Sequence, residues 1–254
     1  MIDIHCHILP QIDDGAKSVD SALEMLDGAL RDGTTAIVFT PHFSVHTNEI
    51  NSKNRIRPLY VDMCRIIDTF NMPIRIYLGT EYLYVSKEHF DKYKDKIETM
   101  NDTDYLLTEF YFDENPNFII DAIDHIISEG FIPIIAHPER YDCVKWDVDF
   151  AKEMRQHGAL LQLNKSSLYG LHGNDTKEVA FQLLMRKKYS FIGSDAHDAT
   201  MRNACMSEAC NIIAAYFGEK YALELCCDNP EKMLQGIDIR KKAPSEERKD
   251  EILS

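Results

Sequence analysis

The sequence predicts an α/β protein built as a closed parallel barrel of about seven β-α units. Three observations carry that expectation. Short apolar, β-rich runs alternate with amphipathic stretches along the whole chain. Its 254 residues suit one large domain, a common size for α/β barrels. Histidines and carboxylates recur where the apolar runs end, and in a parallel barrel those ends share the face that carries chemistry.

The elements follow in order. "MIDIH" reads as a first strand, and the period of two places His5 and His7 on one side with Cys6 on the other. "SVDSALEMLDGALRDG" reads as a helix with Ser18 as N-cap, Ala22, Leu23, Leu26, Ala29 and Leu30 as its apolar face, and Gly33 as its stop. Further strands are expected in "TTAIVFTPH" (34–42), "IRIYLGTE" (74–81), "DYLLTEF" (104–110), "FIPIIAHP" (131–138), "ALLQLN" (159–164) and "YSFIGSDAH" (189–197). Helices are expected in "NFIIDAIDHIISEG" (117–130), "DFAKEMRQHG" (149–158) and "TKEVAFQLLMRKK" (176–188). No internal repeat and no Gly/Ser linker interrupts the alternation. The working domain is therefore taken as 1–237, and the charged "DIRKKAPSEERKDEILS" from 238 to 254 as a loose tail.

Composition excludes several classes. Lys plus Arg total 28 against 42 for Asp plus Glu, a net charge of −14 that opposes nucleic acid and anionic lipid as general partners. No apolar run approaches a membrane span, and the N-terminus lacks a basic region leading into an apolar one, so direct membrane insertion is not expected and a cytoplasmic site of action is. The seven cysteines are odd in number and contain no C-x-x-C; "CCDNP" at Cys226 and Cys227 reads as a helix end, not a disulfide framework. No cysteine is followed six positions later by arginine, which excludes cysteine-dependent tyrosine phosphatase chemistry. A G-x-x-x-x-G-K-S/T phosphate loop is also missing from the sequence.

Placed on the barrel, the polar residues converge. His5 and His7 end the first strand, His42 the second, Glu81 the third, Glu109 the fourth and His137 the fifth; Asp195 and His197 end the last. Five of the ten histidines thus sit at strand ends, while His46, His89, His125, His157 and His172 fall in loops or helices. One such histidine is usually a packing or capping residue; the repetition points to metal. Five imidazoles with Asp14, Glu81, Glu109 and Asp195 exceed the needs of one ion and suit a cluster of two or three. Asp14 is preferred to Asp13, although the loop itself does not separate them. Mixed nitrogen and oxygen donors suit manganese, iron or zinc.

"DIHCHILPQIDDG", "TPH", "GTE", "TEF", "AHPERY" and "GSDAH" resemble, in order and spacing, the PHP (polymerase and histidinol phosphatase) superfamily. Within it the chain is most similar to bacterial protein-tyrosine phosphatases of capsule and exopolysaccharide loci, from residue 1 to about 236. The resemblance implies a distorted (β/α)7 barrel with three metals, commonly manganese. It implies His5, His7, Glu81 and Asp195 at one metal, Glu81, Glu109 and His137 at a second, and Asp14, His42 and His197 at the third. Arg140 and Arg202 match arginines that hold the substrate phosphate, and the implied substrate is a phosphotyrosine protein, a bacterial tyrosine autokinase governing polysaccharide export.

The chemistry agrees with that implication. Divalent ions activate water near neutral pH and screen phosphate charge. Arginine offers phosphate a planar fork. Phenolate leaves readily enough to need little protonation, and no general acid is assigned. The aromatics of "EYLY" (81–84) and "EFYF" (109–112) stand beside two ligands, as a phosphotyrosine slot or as barrel packing. His125 reads as a helix-face histidine of little consequence. A small-molecule phosphoesterase such as histidinol-phosphate phosphatase fits the same motifs, a metal-dependent amide hydrolase less well because of the HPER arginine. A non-catalytic scaffold is disfavoured by the cost of so many unpaired ionisable groups at one mouth.

Overall fold

The computed structural model describes residues 1–43 and 51–241. Among the described residues nine parallel strands occupy seven positions: β1 (Ile2–Cys6), β2 (Ala36–Phe39) running on into β3 (His42–Phe43), β4 (Arg75–Leu78) into β5 (Glu81–Leu83), β6 (Tyr105–Glu109), β7 (Ile132–Ala136), β8 (Leu160–Asn164) and β9 (Phe191–Gly193). The second and third positions are each broken midway. Below the breaks the order is β1-β2-β4; above them it is β3-β5-β6-β7-β8-β9. Pro41 has no N–H to give the ladder at the first break. At the second, a Cβ on Gly79 would lie 2.7 Å from Met100 Sδ, so a bare backbone passes there.

The ring closes between the first and last strands. Cys6 bridges Ala196 in parallel register, His7 N donates to Ala196 O at 2.8 Å, and Asp195 N donates to His5 O at 2.8 Å. The expected (β/α)7 barrel is therefore present, and the split of its sheet is its distortion.

Strand alternation separates two packing layers. Tyr105 and Leu107 of β6, Ile132 and Ile134 of β7, Leu160 of β8 and Phe191 of β9 join Ile2, Ile4 and Val38 in one buried cluster. Leu106, Ile135, Leu161 and Leu163, on the opposite parity, pack with the helices. The face that buries Tyr105 and Leu107 presents Glu109 one step further, and the face that buries Leu160 presents Gln162 and Asn164.

Helix α1 (Val19–Arg31) starts as expected at Ser18, whose hydroxyl accepts from Ser21 N while Ser21 returns a bond to the Ser18 backbone. The other three expected helices are α4 (Pro116–Ser128), α6 (Phe150–Gln156) and α7 (Asn174–Met185). The sequence reading did not assign α2 (Lys53–Thr69), which carries Pro58 inside it, nor α3 (Lys87–Tyr93), α5 (Asp142–Trp146), α8 (Ser207–Phe217), α9 (Glu219–Leu223) and α10 (Asn229–Leu234).

Three details correct the sequence reading. Cys226 does not end a helix: it lies in a π-helical turn (Glu224–Asp228) leading into α10, and it is disulfide-bonded to Cys210 of α8. The first residues assigned to the tail dock on the barrel: Ile239 N donates to the Tyr105 hydroxyl at 3.0 Å, and Arg240 reaches Gly158 O at 3.3 Å. His125 is buried, with Nδ1 2.9 Å from the Tyr84 hydroxyl and Nε2 3.1 Å from Asp91 Oδ1.

His125→Ala would strand the buried Tyr84 hydroxyl and remove a ring packed on Phe90. We expect a loss of about 2 kcal/mol, read as a lower urea midpoint, with the native protein's metal content unchanged. An unmoved midpoint would show that this bond adds no stability.

Candidate metal centre

All nine expected ligands meet at the C-terminal mouth of the barrel, and Glu81 lies at their centre. Its Oε2 is 3.2 Å from both His5 Nε2 and His7 Nε2 and 3.1 Å from His42 Nδ1; its Oε1 is 3.0 Å from His137 Nε2. Glu109 Oε1 lies 3.3 Å from His42 Nδ1, and Asp195 Oδ1 lies 3.6 Å from the His5 and His7 Nε2 atoms. Asp14 Oδ1 is 3.2 Å from His197 Nε2 and 3.5 Å from His42 Nε2. At this mouth three sets of side chains have ligand atoms close enough to share an ion: His7, Asp14, His42 and His197; His5, His7 and Glu81; His42, Glu81 and Glu109.

The donor set fits divalent cations on independent grounds. Glu81 is buried, and its Oε2 has no hydrogen bond although three imidazole nitrogens face it. His5 Nε2 and His7 Nε2 are 3.3 Å apart, so two ring lone pairs aim at one point unless a proton or a cation lies between them.

The electrostatics carry the same message. Burial and neighbouring His42 depress the His7 imidazole, yet the Asp13 and Glu81 carboxylates outweigh them and lift it to about 9. Burial likewise opposes the charge on His42, but Glu81 and Glu109 raise it well above the ordinary histidine value. His5 is raised against its burial chiefly by Glu81 and Asp195. Burial favours the neutral form of Glu81, while His5, His42 and His137 drive it well below the usual carboxylate range. In the bare protein, protons on imidazoles supply the positive charge that these carboxylates demand. Divalent cations would displace them.

A supporting layer aims the rings, and the sequence reading missed it. His7 Nδ1 is 2.8 Å from Asp13 Oδ2, which also accepts from His42 N at 3.0 Å. This separates the adjacent aspartates: Asp13 backs a histidine, as carboxylates behind metal ligands do, and Asp14 faces the cluster. Gly15 completes that loop, since a Cβ there would fall 1.9 Å from His7 O. His5 Nδ1 meets Gln162 Oε1 at 2.9 Å, and Asn164 Nδ2 donates to Asp195 Oδ2 at 2.7 Å. Glu139 of the HPER motif is fully buried and accepts from Asn164 N, Ser167 Oγ and Tyr189 Oη at 2.8–2.9 Å. His137 (φ +36°) and Asp195 (φ +51°) adopt left-handed backbone, a strain of about 1–3 kcal/mol each that sites tend to concentrate.

Both arginines reach Asp195. Arg202 Nη2 lies 2.9 Å from Oδ1, brought there by a turn in which Asp198 accepts from the backbones of Thr200, Met201 and Arg202. Arg140 Nη1 is 3.6 Å from Oδ2, and its guanidinium lies 4.3 Å above the Phe112 ring. Of the flanking aromatics, Tyr82, Tyr84 and Phe110 are buried packing, while Tyr111 and Phe112 are exposed. Among the remaining histidines, His89 bonds Tyr82, His157 bonds Asp124, and His172 lies against Asn164. His46 is outside the described residues.

Fold and site together define a parallel barrel whose mouth gathers three sets of side chains able to hold cations, with two arginines on Asp195 beside them. Residues 1–235 match the model of the capsular polysaccharide synthesis CpsB/CapC family, and the chain belongs to that family. It is 31% identical to the tyrosine-protein phosphatase YwqE of Bacillus subtilis across 96% of this chain and 95% of that one. With the tyrosine-protein phosphatase CpsB of Streptococcus pneumoniae it shares 31% identity over 92% of this chain and 98% of the relative. Crystal structures of YwqE and CpsB, described as metal-dependent tyrosine phosphatases, include a chain that superposes with a TM-score of 0.86 over 93% of this one and 95% of its own length. The histidinol phosphate phosphatase of Lactococcus lactis shares the fold, at a TM-score of 0.54 and 14% identity, with 89% of this chain and 96% of that one covered.

If Glu81 sets the imidazole charge, Glu81→Gln in chelator-treated protein should bring His5 and His42 down toward ordinary histidine values. Imidazole nitrogen shifts followed by NMR across pH would show it. Unchanged titrations would assign the shifts to other carboxylates.

Proposed function

We propose that this chain is a metal-dependent protein-tyrosine phosphatase acting in the cytoplasm on a tyrosine autokinase that controls capsule or exopolysaccharide synthesis. The observation that carries the reading is the convergence of nine donor residues, with Glu81 against four of the imidazoles and two arginines beside them, in a chain whose relatives are named tyrosine-protein phosphatases. His5, His7, Glu81 and Asp195 would hold one ion, Glu81, Glu109 and His137 a second, and Asp14, His42 and His197 a third; manganese suits this mixed donor set. When bound, divalent ions supply activated water near neutral pH and charge that receives phosphoryl oxygens.

The chain's own residues do the rest. Arg140 and Arg202 hold phosphoryl oxygens through planar forks, and Phe112 keeps the Arg140 fork flat at the rim. Gln162 and Asp13 leave the Nε2 edges of His5 and His7 facing inward. Asn164 orients Asp195. Cysteine has no part: Cys6 Sγ turns away from the mouth toward Val38 O.

Activity should accordingly vanish with a chelator, return with manganese and survive iodoacetamide. Loss to iodoacetamide at unchanged metal content would overturn the metal reading.

The substrate class is tested by kcat/KM on matched phosphotyrosine and phosphoserine peptides and on histidinol phosphate, with phosphotyrosine expected fastest. Arg140→Lys should keep its metal yet lose turnover on the order of 100-fold, since charge remains and the fork does not. Histidinol phosphate as the best of the three would replace the tyrosine reading with a small-molecule one.

A further inference from the structure

His172 takes no part in the reading above, yet it stands at the same mouth. Gly170 (φ +78°) and Gly173 (φ +96°) bracket it in backbone that side chains rarely adopt, and the segment between them folds back onto the end of β8. There His172 Nε2 lies 3.4 Å from Asn164 Nδ2. The orientation of the Asn164 amide is fixed by its other bonds: Oδ1 accepts from Ser166 N at 2.9 Å, and Nδ2 donates to Asp195 Oδ2 at 2.7 Å. The amide can meet the imidazole only as a donor. Nε2 is therefore the acceptor, and this assignment puts the proton of the neutral ring on Nδ1. Nδ1 has no hydrogen-bond partner among the described residues, and the residue is only half-buried, so this N–H is left to a partner outside the protein.

The surroundings keep the ring neutral. Burial first, then the charges of Arg140, Arg202 and His137, outweigh Asp195 and hold the imidazole down to about 4. A neutral imidazole within reach of the charges of two guanidiniums is a hydrogen-bond donor that adds no charge of its own.

We propose that His172 is a catalytic hydrogen-bond donor whose Nδ1–H contacts the oxygen that leaves phosphorus. The inference rests on the phosphatase reading. Phosphoryl oxygens are anionic from the start and suit the arginines. The aryl oxygen gains its charge only as the bond breaks, and a donor placed there acts on the transition state more than on bound substrate. In this step the P–O bond to the aryl group breaks with its electron pair on the leaving oxygen, and a P–O bond from water forms. One water proton remains on the phosphate and the other neutralises the phenolate through solvent. His172 keeps its own proton throughout.

The test is a series of aryl phosphates, from 4-nitrophenyl phosphate to 4-methylphenyl phosphate, with the manganese-loaded full-length protein. His172→Ala should reduce kcat/KM only a few fold for the nitrophenyl ester but about 100-fold for the methylphenyl ester, steepening the dependence on leaving-group basicity. His172→Gln, which restores an N–H donor, should recover part of the loss on the poor leaving group. An equal loss across the series in both variants, or no loss, would overturn the assignment whatever either variant does to stability. Failure of the wild-type protein to hydrolyse any member would instead overturn the phosphatase reading.

Discussion

One buried carboxylate organises the mouth of this barrel. Glu81 touches four imidazoles that arrive from β1, the end of β1, β3 and the turn after β7. Because it is buried, its charge must be met by positive charge at short range, and neutral histidines alone do not provide it. Either the rings take up protons or cations enter among them. The rest of the site follows from keeping that single charge where it is.

The fold supplies the position through its broken third strand. Glu81 opens β5 just after the break at Gly79 and Thr80, where the chain leaves the β1-β2-β4 sheet and joins the β3-β5-β6 side. It therefore sits at the seam between the two sheets. Barrel closure provides the other half, because Asp195 N bonds His5 O and His7 N bonds Ala196 O. Residues nearly two hundred positions apart become neighbours by the hydrogen bonds that close the ring. Fold stability and site geometry share these contacts.

This explains what the sequence made legible. Strand-end positions are readable because strands announce themselves by apolar runs, and all parallel strand ends share a face. Eight of the nine donors were found that way, whereas Asp14 lies in a loop and Arg140 came with the family resemblance. Gln162 and Asn164 carried a readable signal too: in "ALLQLN" they repeat the period of two that flagged His5 and His7, with amides in place of imidazoles. Asp13 could not be told from Asp14 because a loop has no period, and only the bond to His7 separates them. The burial of His125 was hidden because its helix spacing said nothing of Tyr84, which follows β5. The Cys210–Cys226 contact was hidden for the same reason, since helix packing and not spacing brings the two together.

Asp195 shows how holding cations and holding phosphate are joined in one residue. Its Oδ1 faces the imidazoles and Arg202; its Oδ2 takes Asn164 and faces Arg140. Burial alone would favour its neutral form, yet His5 and its cationic neighbours hold its pKa well below the usual carboxylate range. Each arginine is thus kept at the rim by a carboxylate whose other partners lie inside the cluster. A guanidinium tied this way loses little freedom when a phosphate arrives, because the entropy of placing it was spent in folding. The backbone strain at Asp195 and His137 fits the same logic. Relaxing either residue to ordinary backbone would swing a side chain out of the cluster, and Glu81 would lose the charges that make its burial tolerable.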